Sequence, residues 1–217
     1  KKASKLYDLI IFQDISRVKL AKTNGLDNIL LMLPPYDKKL HKFKKNLKFK
    51  KIYDVVFVGT WSPKKSLLIQ KLIMSGINIK VFGTRWEKDK NFNLIKSHVK
   101  NYHLNSKEYS EIIKKSKIAL CLFSEENKDT ITARSMEIPA IGTFMLAYKT
   151  LAMQKVFKEN KDLVFFKNYK ECIKKCNYYL NNIDKLNRIA ENGHNKVTKV
   201  INNNNHNFVK KVVNRVI

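Results

Sequence analysis

This 217-residue chain is short of acid: 18 Asp and Glu stand against 44 Lys and Arg, giving a formal net charge of +26. Arginine is scarce within the basic set, at five residues (Arg17, Arg85, Arg134, Arg188 and Arg215). Base edges and phosphate forks are read best by arginine, which argues against a dedicated sequence-reading nucleic-acid protein. Lysine, asparagine and isoleucine share A/T-rich codons, so genome bias accounts for the lysine excess and for the asparagine run at 202–205. The charge still attracts anionic partners such as nucleotides, phosphorylated sugars or an acidic membrane surface. Long apolar runs are missing too; the stretch 29–33 falls far short of the roughly 18–20 residues that cross a membrane. No signal peptide is visible, and without an initiator Met the start is expected to be a cut. Six glycines and four prolines exclude a collagen-like repeat, while 44% hydrophobic and 11% aromatic residues exclude a disordered tail. Cysteine is limited to Cys121, Cys172 and Cys176. The last two lie four apart on one helix face, unsuited to a disulfide, and no second Cys or His pair supplies a zinc site. Buried reduced thiols in a cytosolic protein are expected.

What the chain does have is alternation. Short β-rich apolar runs at 8–13 and 28–33 bracket a helical period at 16–24 closed by Gly25. Pro34-Pro35 break the chain, and the Lys-rich stretch 36–51 reads as an interdomain linker. Strands are then predicted at 53–58, 78–82, 98–102, 118–123, 143–147 and 163–166. Helices are predicted at 64–75, 106–116, 132–141, 150–159 and 168–182, with a last helical stretch from about Asp184 to the C-terminus. Six strand–helix repeats give an α/β fold: a doubly wound parallel sheet covered on both faces. The usual strand order opens a crevice between the first and fourth strands of this sheet, outside their C-terminal ends. The expected organisation is 1–35 as the tail of a truncated N-terminal α/β domain, 36–51 as linker, 52–183 as the Rossmann-like domain and 184–217 as a C-terminal helical segment.

The two loops expected at that crevice carry unusual chemistry. The first runs Gly59-Thr60-Trp61-Ser62-Pro63-Lys64-Lys65. A strand-end glycine lets backbone N–H groups approach an anion, the following helix offers its positive end, and two lysines add charge, an arrangement suited to a diphosphate. It is neither a Walker loop nor a dinucleotide fingerprint, and a plain strand–helix turn with a solvated lysine pair has the same pattern. The second loop, 124–140, holds Asp129 before a helix and Glu137 within it. Eight helical residues rotate about 800°, so both carboxylates can line one cleft and accept paired hydrogen bonds from sugar or ribose diols. Arg134 offers a fixed fork for a phosphate or a carboxylate. A helix dipole accounts for acids at the first turn, yet not for Glu137 deep in an apolar helix. Elsewhere the five histidines are scattered, with His103 in a loop near a prospective base. Tyr102 and Tyr109 are candidates to flank one, and Phe165-Phe166 and Tyr178-Tyr179 read as core.

The stretch 129–146, with Thr132, Arg134, Glu137-Ile138-Pro139-Ala140, Gly142 and Phe144-Met145-Leu146, resembles the C-terminal half of GT-B glycosyltransferases. Within these it is most similar to the CgeB-like, spore-maturation-type branch of the group 1 enzymes. Asp129 and Glu137 resemble the acidic E-x7-E signature with Asp in first place. The similarity runs through 54–61, Val81-Phe82-Gly83, Trp86, 157–166, 178–180 and 189–193, covering roughly residues 52–200. Such a resemblance implies a retaining, metal-independent hexosyltransferase without a cofactor, whose C-terminal domain holds a nucleoside-diphosphate sugar. Carried over, Glu137 binds ribose and Asp129 the transferred sugar, as the catalytic pair. Gly59, Thr60, Lys64 and Arg134 surround the diphosphate, and Trp61, Lys65, Gly83 and Thr132 complete the substrate-binding set. The acceptor (glycan, protein or lipid) and most of the N-terminal domain are missing partners, so this piece is expected to bind donor without efficient turnover. A cytoplasmic enzyme, at an anionic membrane surface or free of it, is the corresponding setting. Two other classes are weighed: a degenerate glycosyltransferase fold binding nucleic acid or an anionic surface, and a non-catalytic structural domain.

Overall fold

The computed structural model describes residues 6–43 and 50–216. The first five residues, linker positions 44–49 and residue 217 lie outside the described residues.

Among the described residues there are two parallel sheets. The smaller pairs β1 (Ile10–Phe12) with β2 (Ile29–Leu31), connected by α1 (Ile15–Thr23), and Val18, Ala21 and Ile29 bury its small core. The larger sheet contains β3 (Tyr53–Val58), β4 (Ile79–Phe82), β5 (Val99–Lys100), β6 (Ser116–Cys121), β7 (Phe144–Tyr148) and β8 (Val164–Phe166). Its order is β5-β4-β3-β6-β7-β8, all parallel. The first and fourth strands of this sheet, β3 and β6, are therefore neighbours at the switch point, as the sequence reading expects.

Alternate residues of each strand feed opposite cores, the consequence of a two-residue period in a sheet buried on both faces. Val55, Phe57, Ile118, Leu120, Phe144 and Leu146 face one side, packed by α2 (Pro63–Met74), α7 (Tyr169–Leu180) and α8 (Ile183–Asn195). Val56, Ala119, Cys121, Met145 and Ala147 face the other, packed by α4 (Ser106–Lys114), α5 (Ala133–Ile141) and α6 (Leu151–Val156). Between β4 and β5 lies the short α3 (Phe92–Ile95). All three cysteines are free and buried, and burial pushes the Cys121 thiol up to about 12.

Several predicted boundaries shift. β6 starts at Ser116 and leaves the ladder after Cys121, so Leu122 and Phe123 line a cavity instead. The last predicted helix is interrupted: α8 widens into a π-helical stretch, Lys196–Ile201, which stops at Asn202 in left-handed conformation (φ 46°) before α9 (Asn205–Val216). The asparagines here are more than compositional filler. Asn203 and Asn204 are buried, Asn203 Nδ2 donates to the Leu33 carbonyl at 2.6 Å, and Tyr36 exchanges backbone hydrogen bonds with Asn203 and Asn205. Residues 33–43 are thereby clasped onto the large sheet unit, with His41 buried against Tyr109 and Phe43 stacked near His194.

Candidate functional site

The loops after β3 and β6 leave adjacent parallel strands at the same end. At the start of α2, Pro63 occupies the first helical position and Ser62 makes no side-chain cap bond, unlike the asparagines at 105 and 168 that cap α4 and α7. The first-turn N–H groups of Lys64 and Lys65 thus have no side-chain cap and carry the positive end of a twelve-residue helix. Lys64 Nζ reaches across the crevice to an ion pair with Glu125. Burial holds the Lys65 ammonium below its ordinary pKa, while Asp129 and Glu126 act the other way. These interactions bring two lysines and the second loop's acids together.

Two cavities meet there. One of about 680 Å³ lies between α2, the ends of β6 to β8 and the start of α7, lined by Lys64, Lys65, Leu68, Leu122, Asp129 and Tyr169 among others. The other, of about 700 Å³, is lined by Thr60, Trp61, Arg85, Lys88 and residues of the second loop, and shares Lys64 and Lys65. Their sizes suit a small-molecule ligand, and a cationic end beside an apolar wall suits an amphiphilic anion.

A second constellation sits on the α4–α5 side. Arg134 Nη1 donates to Glu137 Oε2 at 2.5 Å, one helical turn apart, and its guanidinium lies 3.7 Å over the Tyr109 ring. The Glu137 side chain is only 15% exposed. His41 joins this group: its Nδ1 accepts from the Asp37 N–H, and burial lowers its pKa despite the nearby Glu137 and Asp37.

Of the residues singled out from sequence, Thr60, Trp61, Lys64, Lys65 and Asp129 meet around the two cavities. Glu137 and Arg134 line neither. Arg134 pairs with a carboxylate, one of the two options its chemistry offers, through a single Nη1–Oε2 bond to Glu137. Thr132 starts α5, its N–H donating to Ser135 Oγ. The expectation for Gly59 needs correction: its N–H is a ladder donor to the Phe82 carbonyl, and its own carbonyl accepts from Trp86 Nε1. Gly83 serves the same contact. With φ 145°, a Cβ there would lie 2.2 Å from the Gly59 oxygen, so the glycine permits strand-end packing. Trp61 is half structural, its Nε1 donating to Asp89 Oδ2 at 2.9 Å. Tyr109 is buried beneath Arg134 and is not placed to flank a base in open space, whereas Tyr102 and His103 are exposed.

Glu125, Arg85, Lys88, Tyr148, Asn168 and Tyr169 are cavity residues that sequence reasoning passed over. A doubly wound sheet brings every strand's C-terminal loop to one end, so the rule that singled out the loops after β3 and β6 extends equally to 148–150 and 166–169, which the sequence reading did not consider. Among the described residues, no group of three or more His, Cys, Asp or Glu is arranged to hold a metal, and no helix is long and apolar enough to cross a membrane.

A family model described as glycosyl transferase-like matches residues 64–208, well over half of the chain. Among solved structures, a glycosyltransferase from Rickettsia africae ESF-5 aligns with 12% identity and a TM-score of 0.74, over 100% of this chain and 66% of that one. TarM of S. aureus, solved as a variant in complex with fondaparinux, alpha-GlcNAc-glycerol and UDP, aligns at 13% and 0.72, over 98% and 44%. HepE of Anabaena, in complex with UDP and glucose, aligns at 12% and 0.72, over 98% and 65%. At these identities the likeness is one of fold, and the chain spans from under half to about two thirds of those proteins' lengths. No curated protein matches the chain.

Proposed function

The chain belongs to the glycosyl transferase-like family and has its GT-B, Rossmann-like fold, and from that premise we propose that it holds a nucleoside-diphosphate sugar for transfer to an acceptor. The observation that carries the reading is the pairing of the uncapped α2 terminus and its two lysines with the Asp129 loop across the β3–β6 crevice. In this reading the diphosphate lies against the Lys64 and Lys65 N–H groups and ammonium charges. These offset the charge that develops on the leaving group as the glycosidic bond breaks, so the step requires no metal. Asp129 accepts hydrogen bonds from hydroxyls of the transferred sugar. Glu137, which lines neither cavity, keeps Oε2 on Arg134 and has to swing Oε1, which has no hydrogen-bond partner among the described residues, into the crevice to meet the ribose diol.

The finer assignments belong to the same proposal: a CgeB-like, hexosyl-transferring, retaining enzyme that works in the cytoplasm, with a cationic surface suited to an anionic membrane. Asp in place of Glu at 129 shortens the carboxylate's reach by one methylene and narrows the range of sugars it can hold. An acceptor, and the chain segment that binds it, complete the reaction. UDP is the first nucleotide to test, since TarM and HepE are described in complex with it.

Isothermal titration calorimetry with UDP, GDP and ADP tests the reading. One of the three is expected to bind, and Glu137→Gln, checked for folding by circular dichroism, is expected to weaken it markedly. Failure of all three to bind at millimolar concentration contradicts the proposal.

A further inference from the structure

The loop carrying Asp129 is not held by the large sheet unit alone. Arg17, on the exposed side of α1, donates from Nη2 to two successive carbonyls of that loop, Asn127 at 2.6 Å and Lys128 at 3.1 Å. On the other side of Asp129, the Thr130 hydroxyl donates to Asp14, which is buried at 8% exposure, and the Thr130 carbonyl accepts from the Thr150 hydroxyl at 2.6 Å. Within the loop, Asp129 N–H donates to the Ser124 carbonyl and Lys128 N–H to the Glu125 carbonyl. Lys128 itself adopts a left-handed conformation (φ 50°), which a non-glycine residue holds only when its surroundings fix it.

These contacts bracket one residue. Positions 127 and 128 are gripped by the small N-terminal unit, and position 130 by that unit and by Thr150, the second residue after β7. Asp129 projects from between them into the cavity it shares with Lys64 and Lys65. Asp14 and Arg17 come from the short segment where β1 leads into α1, and Asp14 O accepts from Val18 N–H in the first turn of that helix. Movement of α1 would therefore shift both flanks of Asp129 together.

We propose that Arg17, seconded by Asp14, is a positioning residue for Asp129, so that the N-terminal α/β unit sets the sugar-binding geometry of a crevice formed by the other sheet. This rests on the reading of Asp129 as the carboxylate that holds the transferred sugar. A charged donor bridging two carbonyls is worth more than a neutral hydrogen bond. Its loss is felt where a carboxylate must hold its place to within a fraction of an ångström. The diphosphate lies on α2, which Arg17 does not touch, so nucleotide binding is independent of the latch.

The test compares UDP with UDP-glucose on the full 217-residue chain by calorimetry, together with hydrogen exchange of the loop amides. Arg17→Ala is expected to leave UDP affinity unchanged and to reduce the advantage of UDP-glucose over UDP by about tenfold, the order for losing charge-assisted bonds. Exchange at 126–130 rises in the same variant, and Arg17→Lys recovers part of both effects. Equal losses for the two ligands, or unchanged exchange and unchanged advantage, overturn the latch. Asp129→Asn separates the two readings. If Asp129→Asn removes the advantage and Arg17→Ala does not, the latch alone is wrong. If the wild-type chain shows no advantage, or Asp129→Asn leaves it intact, the sugar-holding role of Asp129 fails and the latch falls with it.

Discussion

Lys65 stands between two opposing influences. Burial favours its neutral form, and Asp129 and Glu126 favour its charged one, with burial the larger. A bound diphosphate adds negative charge and stabilises the ammonium further. Diphosphate affinity is therefore expected to decline as pH rises through the lowered pKa, at lower pH than for an ordinary lysine, and binding in that window takes up a proton. Calorimetry in two alkaline buffers of different ionisation enthalpy measures that uptake. Lys65→Met, which keeps the stem, is expected to abolish it and to weaken binding about tenfold; uptake undiminished in the variant would place the titrating group elsewhere. Gly83 makes the opposite kind of contribution. A methyl group there meets the Gly59 carbonyl at 2.2 Å on a backbone with φ 145°, so Gly83→Ala is expected to cost roughly 2–4 kcal/mol in chemical denaturation. A strand-end glycine looks the same in sequence whether it admits a ligand or another strand. The partner that decides, Gly59, lies just past the end of the neighbouring strand β3, 24 positions away, and could not be read locally.

Among the elements, the segment 33–43 is the least like its sequence. Its lysines and prolines suggest a solvated linker, yet Tyr36 and His41 are buried, and Ser110 Oγ donates to the Leu40 carbonyl. His41 Nδ1 accepts from a backbone N–H, which fixes the neutral ring with its proton on Nε2. Burial lowers its pKa below 6.5; Glu137 and Asp37 raise it, while Arg134 and Lys114 lower it. His194, beneath Phe43, is shifted down for the same first reason. Between these lowered values and 6.5 the unfolded chain binds protons that the folded chain does not, so stability falls as pH drops through that window. Urea denaturation at about pH 7.5 and about pH 5.5 is expected to show a lower midpoint in acid, and His41→Gln to remove part of the difference. Equal midpoints would contradict a buried neutral His41. The strands were legible because β3, β6 and β7 are short, nearly continuous apolar runs bounded by turn or polar residues, as a sheet buried on both faces requires. The clasp was not, since it joins Leu33 and Tyr36 to asparagines some 170 residues along the chain.

At the scale of the whole molecule, charge and topology have to be separated. A net charge of +26 attracts any polyanion, and that attraction is screened within a few ångströms at high salt. The crevice is different in kind: strand order places it, and strand order follows from right-handed crossovers that the alternating pattern already implied. The third wall, from the ends of β7 and β8, and the grip of Arg17 on the Asp129 loop arise from packing between distant segments, which no local motif encodes. The most direct test of a built diphosphate site is therefore a titration of ¹⁵N-labelled protein with UDP, GDP and ADP in about 0.5 M NaCl, where nonspecific attraction is suppressed. Saturable shifts are expected with one of them, concentrated at the amides of Thr60, Lys64, Lys65 and 124–130. Shifts spread over the exposed lysines of α7 and α9, or none at all at that salt, would contradict a built site.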